Sequence, residues 1–152
     1  QTRVYATDLS PKAIALATRN RDALDLQERV ELIECDLVEG VPAELAQSFS
    51  VLVSNPPYIP TSVLEQEVPA EVKGFEPELA LDGGEDGLDV YRRLLEAVPH
   101  MLLPGGMLCV ELYEGHLDKA AHLAEEQGVW ESVEVKEDLT HRPRILVAHL
   151  AK

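Results

Sequence analysis

The tetrapeptide Asn55-Pro56-Pro57-Tyr58 is the part of this sequence best suited to chemistry. Two successive prolines fix φ and remove two backbone donors, and the first pushes Asn55 out of the helical region, so the chain leaves Asn55 as a stiff, preset loop. Such a loop offers mostly acceptors: the Asn55 side-chain carbonyl and the Asn55 and Pro56 backbone carbonyls, with one side-chain amide donor. An amide or exocyclic amine is a poor nucleophile because its lone pair is delocalised. Two acceptors gripping its N–H groups can orient it towards an electrophilic methyl, and positioning of this kind is worth on the order of 7 to 11 kcal/mol. Tyr58 can pack on a planar substrate group or face a sulfonium, whose positive charge favours an aromatic face. Pro-Pro alone would be only a turn; the whole tetrapeptide at a strand exit carries the chemical reading.

That exit has to be supplied by the run Phe49-Ser50-Val51-Leu52-Val53-Ser54, which reads as a strand ending at Asn55. Upstream, residues 2–7 have strand character and stop at Asp8, and residues 29–34 form a second strand closing on Asp36. Between them Ser10 can cap and Pro11 can occupy the first turn of a helix over 11–24, with Ile14, Ala17 and Leu24 facing inward. A long irregular stretch, 59–86, carries at most one helical turn near 62–67, and loops of that length are usually functional. Residues 87–102 read as a helix through Val90, Leu94, Leu95 and Val98. Pro104-Gly105-Gly106 then turns the chain into a strand over 107–112, a helix follows over 116–127, and strands over 129–135 and 144–150 close the chain. This alternation predicts an α/β fold, a mostly parallel sheet with a C-terminal antiparallel hairpin.

In an open parallel sheet the ligand crevice lies beyond the carboxyl ends of the strands, where Asp8, Asp36 and Asn55 all fall. An acid in the position of Asp8 is placed to accept from ribose hydroxyls, and Asp36 could accept from an adenine amino group. Taken alone, either acid reads equally as a helix cap or turn residue.

Twenty-eight acidic residues against thirteen basic ones give a formal charge of −15, which repels a phosphate backbone and argues against direct nucleic-acid binding. No apolar stretch approaches the roughly 18 to 20 residues that span a bilayer, so no membrane partner and a soluble, cytoplasmic protein are expected. Cys35 and Cys109 sit in apolar strand-like runs without metal-ligand spacing, and the histidines lack it too, so buried reduced thiols and no metal are expected. The length of 152 residues suits one domain.

Taken with its flanks, Val53-Ser54-Asn55-Pro56-Pro57-Tyr58-Ile59-Pro60 resembles the central motif of the protein-(glutamine-N5) methyltransferases of translation release factors, the HemK or PrmC family. Phe75-Glu76-Pro77, Ala80-Leu81, Gly83-Gly84 and Asp86-Gly87-Leu88 resemble that family's downstream signature, and the likeness runs from Val4 to about Ile145. The tetrapeptide is shared with enzymes that methylate amino groups of DNA and RNA; the downstream stretch is far more specific. The resemblance implies a Rossmann-like class I methyltransferase sheet, S-adenosyl-L-methionine as cofactor and a peptide chain release factor as protein substrate. It makes residues 1–152 part of a methyltransferase catalytic domain. Residue by residue, it makes Asp8 a ribose ligand, Asp36 a neighbour of the adenine, and Asn55 and the Pro56 carbonyl the acceptors for the glutamine amide, with Asn55 also bordering the cofactor. Pro57 and Tyr58 would line the same pocket and Glu76 would support the loop around it. Asp82, Glu85, Asp86 and Asp89 read as solvated loop surface.

Two stretches depart from the family pattern. Tyr113 and His116 stand where glycine and glutamine are usual, and His141 and Pro143 where glycine and aspartate are. His116 reads as a helix-start residue. The family's first strand and Gly-rich loop have no counterpart before Val4, so a partial domain is expected, with a gap between the strands that end at Asp8 and Asn55. Two other functions stay open: methylation of an exocyclic amine of nucleic acid, which the acidic charge disfavours, and a non-catalytic remnant acting as a binding or scaffold domain.

Overall fold

The computed structural model describes residues 2–66 and 77–152. They fall into two compact units, Gln1–Leu45 and Ala46–Lys152.

In the first unit, β1 (Val4–Asp8) runs parallel to β2 (Val30–Glu34), with Val4 opposite Val30 and Asp8 opposite Glu34. The crossover is α1 (Pro11–Ala23), started as its sequence dictates: Pro11 sits in the first turn and the Ser10 hydroxyl accepts from the Ala13 N–H at 3.4 Å. Ile14 and Ala17 are half-buried as expected, but Leu24 is 68% exposed. The helix stops at Ala23, and the chain turns through Asp25 at φ +54, which swings Leu24 outward. No described residue of this unit is buried.

The second unit holds a four-stranded sheet in the order β3-β4-β6-β5, formed by β3 (Phe49–Ser54), β4 (Leu102–Glu111), β5 (Trp130–Glu137) and β6 (Pro143–Leu150). β3 and β4 are parallel, with Ser54 opposite Val110. β6 runs against both β4 and β5, giving the one antiparallel strand that the closing hairpin predicts among the described strands. Among the described strands β3 is an edge of this sheet, and β1 and β2 pair with each other. Val51 and Val53 on that edge strand are exposed.

Among the described residues three α-helices pack in this unit: α2 (Thr61–Gln66), α3 (Asp89–Ala97) and α4 (Leu117–Glu126). Helical spacing puts Tyr91, Leu94, Leu95 and Val98 in the core, and strand alternation does the same for Leu108, Val110 and Leu112. Burying each such side chain contributes about 1.5–3 kcal/mol. The buried Tyr91 hydroxyl donates to the Ala120 carbonyl at 2.8 Å, tying α3 to α4.

The helix expected over 87–102 is shorter. α3 ends at Ala97, a 3-10 turn covers Val98–His100, and Leu102 opens β4. Pro99 lacks an N–H and crowds the preceding turn, so the α-helical ladder cannot continue through it. Pro104-Gly105-Gly106 lies within the bounds of β4 as an irregularity: the pairing jumps from Phe49–Leu102 to Val51–Met107, with Gly105 at φ +77.

Candidate functional site

β3 delivers Asn55 at its carboxyl end, where the side chain is exposed and takes no hydrogen bond from another described residue. Pro56 is buried and Pro57 and Tyr58 are half-buried, so the corner is anchored at one point while its carboxamide stays open.

What holds the corner is the downstream glycine stretch. Ile59 N–H donates to Leu81 O at 3.0 Å, Gly83 N–H to Ile59 O at 2.8 Å and Thr61 N–H to Gly84 O at 2.9 Å. Asp82 Oδ1 accepts from the Thr61 hydroxyl at 2.8 Å and from Gly84 N–H at 3.0 Å. The approach is too close for side chains. A Cβ on Gly83 would fall 2.7 Å from Tyr58 Cα, and one on Gly87, where φ is +75, would fall 2.4 Å from Tyr58 O and 2.6 Å from His116 Cε1.

The acids of this loop are not all solvated surface, which corrects the reading from sequence. Asp82 braces the loop as described, and Asp86 receives Arg92 Nη1 at 2.9 Å, Arg92 Nη2 at 2.6 Å and Lys119 Nζ at 2.6 Å, besides the Leu88 N–H at 3.2 Å. Asp89 also pairs with Arg92, at 2.9 Å. Asp86 thus pins the loop to α3 and α4. Hydrogen bonds from Arg92 and then Lys119 hold its carboxyl far below the ordinary value of 3.8. The folded state therefore binds this proton less readily than the unfolded chain does. The stabilisation is complete above about pH 4 and is lost as pH falls further. Asp86→Asn is expected to lower stability at neutral pH and to flatten the acid limb of a urea-midpoint profile below pH 4; an unchanged acid limb would assign it to other carboxylates.

In the first unit, Asp8 is exposed at the end of β1, and Asp36 follows Cys35, whose N–H donates to Asp8 O at 3.1 Å. The two acids therefore stand at neighbouring strand ends. Asp8 Oδ1 accepts from Ser10 N–H at 2.8 Å, so the local turn role is real, yet an ionised carboxylate retains further acceptor sites for a ribose diol. The shallow depression of about 250 Å³ along Arg3–Tyr5 and Gln27–Glu31 lies at the opposite strand ends and has no part in this. Glu76 and Phe75 lie outside the described residues.

Cys35 and Cys109 are free thiols, half-buried rather than buried, and burial raises the Cys109 pKa. Among the described residues no group of His, Cys, Asp and Glu could hold a metal ion, and no helix is long and apolar enough to cross a membrane. His141 adopts φ +61, a conformation natural to the glycine expected there, and Pro143 opens β6. His116 does start a helix, following the 3-10 turn Glu114–His116, and it also packs on Gly87. The sequence placed Gly83, Gly84 and Gly87 in a family signature without giving them a bracing role, and their clustering beside acids was the further signal.

The fold is that of the Rossmann-like class I methyltransferases. A methyltransferase from Pyrococcus furiosus superposes with a TM-score of 0.68 at 20% identity, covering 99% of this chain and 64% of its own. The protein-(glutamine-N5) methyltransferase, release factor-specific, from Alicyclobacillus acidocaldarius gives 0.52 at 23%, covering 99% and 81%. In sequence, the release factor glutamine methyltransferase of Moorella thermoacetica is 40% identical over 149 residues, 98% of this chain and 51% of its own. That of Clostridium acetobutylicum is 38% identical over 148 residues, 95% and 50%. The chain belongs to the release factor glutamine methyltransferase family. It spans about half the length of the curated relatives it matches. No family model matches it.

Proposed function

We propose that this chain forms part of the catalytic domain of a cytoplasmic enzyme that methylates the N5 amide of a glutamine in a peptide chain release factor. The observation that carries the reading is the exposed Asn55 carboxamide at a proline-stiffened strand exit, laced by backbone hydrogen bonds to Leu81, Gly83 and Gly84. The names of the curated relatives support the same substrate. The net charge of −15 favours a protein substrate over nucleic acid.

S-adenosyl-L-methionine supplies an electrophilic methyl carbon when bound. Asp8 would accept from its ribose hydroxyls and Asp36 would border its adenine; the exposed Asp8 carboxylate fits that task. Asn55 Oδ1 and the Pro56 carbonyl accept the two N–H groups of the glutamine amide and fix its plane, with Asn55 also flanking the cofactor. Asn55 does not titrate, so it orients the nitrogen and does not deprotonate it. Pro57 and Tyr58 would wall the pocket.

Radiolabelled methyl transfer by the native protein to a release factor, set against an oligonucleotide, tests this. Label on a glutamine of the release factor is expected. Label on the oligonucleotide alone would make the enzyme a nucleic-acid methylase, and neither label nor cofactor binding would leave a scaffold domain.

A further inference from the structure

We infer that His116 is a positioning residue for this site: its imidazole is wedged beside the Tyr58 carbonyl on the side-chain-less face of Gly87 and so sets the aim of the Asn55–Tyr58 corner. The inference rests on the proposed role of that corner in methyl transfer. Tyr58 O and His116 Cε1 converge on one point, 2.4 and 2.6 Å from where a Gly87 Cβ would lie. The Tyr58 carbonyl and the imidazole edge therefore meet on the same, side-chain-less face of Gly87. Gly87 O in turn lies 2.8 Å from the Cβ position of Gly83, whose other neighbour there is Tyr58 Cα at 2.7 Å. The contact thus reaches the corner by two routes.

The ring is itself firmly held. The His116 backbone N–H donates to Tyr113 O at 2.9 Å, and the Tyr113 ring meets the imidazole edge-on, centroids 5.2 Å apart at 76°. His116 Nδ1 is buried and has no hydrogen-bond partner among the described residues. Native proteins seldom leave a buried polar atom unpaired, and a strained functional contact is one of the few circumstances in which they do.

The charged groups facing the ring are Asp86, from the loop before α3, and Lys119, from α4; Asp86 is itself shared between Arg92 and Lys119. Burial is the largest influence and lowers the His116 pKa below 6.5, Asp86 opposes it, and Lys119 adds to it. A proton on both ring nitrogens would put an N–H where Nδ1 has no acceptor. Because the folded pKa is depressed, the neutral wedge is fully present above pH 6.5 and is lost as pH falls through the lower folded value.

The test measures methyl transfer by the native protein against pH, together with amide NMR of this chain. In the wild type, kcat should fall on the acid side while KM for the cofactor stays level. His116→Phe keeps the ring without the titration and should hold kcat within about twofold at neutral pH and abolish that acid limb. His116→Ala should lose about tenfold in kcat at every pH. An acid limb that persists in His116→Phe, or wild-type kcat in His116→Ala, overturns the inference. The NMR arm needs neither variant nor activity: the Tyr58, Ile59 and Gly87 amides should shift with the His116 titration, and amides that ignore it overturn the inference independently. Absence of transfer in wild type would refute the proposed function and leave the NMR result to decide the wedge.

Discussion

Replacing Asn55 by alanine is expected to lower methyl transfer by roughly 10²- to 10³-fold in the native protein, the loss typical of removing one preorganised polar contact. The carboxamide is exposed and no described residue hydrogen-bonds it, so its removal strands no described partner and the fold should tolerate the change. Affinity for S-adenosyl-L-methionine, measured by calorimetry, should move little, because Asp8 and Asp36 carry most of the proposed contacts to it. Parallel loss of transfer and cofactor affinity would mean that Asn55 shapes the loop and does not grip the substrate.

Gly87→Ala should be the costliest single-methyl change on this face of the molecule, about 3 kcal/mol or more, since left-handed backbone strain and a backbone clash add. Its Cβ would sit 2.4 Å from Tyr58 O at φ +75, and a carbonyl at the strand exit cannot step aside as a flexible side chain would. Gly128 separates the two contributions. It has φ +67 but nothing within 4 Å of its Cβ position, so Gly128→Ala measures the conformational part alone, about 1–2 kcal/mol. Urea denaturation of both variants checks the difference; equal midpoints would show that the Gly87–Tyr58 contact relaxes freely.

The parts legible in the sequence are those decided by local rules. The short strand-like run Phe49-Ser50-Val51-Leu52-Val53-Ser54 gave β3 its bounds directly, and Ser10-Pro11 marked the start of α1 because a cap and a first-turn proline act within three residues. The helical spacing of Leu94, Leu95 and Val98 announced a buried face even though Pro99 cut the helix short, while Tyr91 takes the buried place that the pattern gave to the half-buried Val90. Illegible were the contacts made across distance. Asp86 looks like any loop acid until Lys119, thirty-three residues on, arrives beside it. Asp82 likewise needs Thr61, twenty-one residues back, to become a brace. Leu24 shows the converse error: helical periodicity assigned it a buried face that the helix, by ending one residue earlier, never provides. The corner itself was readable because proline stiffness is intrinsic to the residue and does not depend on neighbours.

The outer edge of β3 has a colloidal consequence. Among the described strands β3 pairs on one side, and its outward Val51 and Val53, 46% and 73% exposed, make that edge a template on which another extended chain can zip. The formal charge of −15 opposes that encounter through mutual repulsion. Since the screening length shrinks from about 10 Å at 0.1 M salt to about 3 Å at 1 M, concentrated electrolyte removes the safeguard and leaves the sticky flank to set the solubility limit.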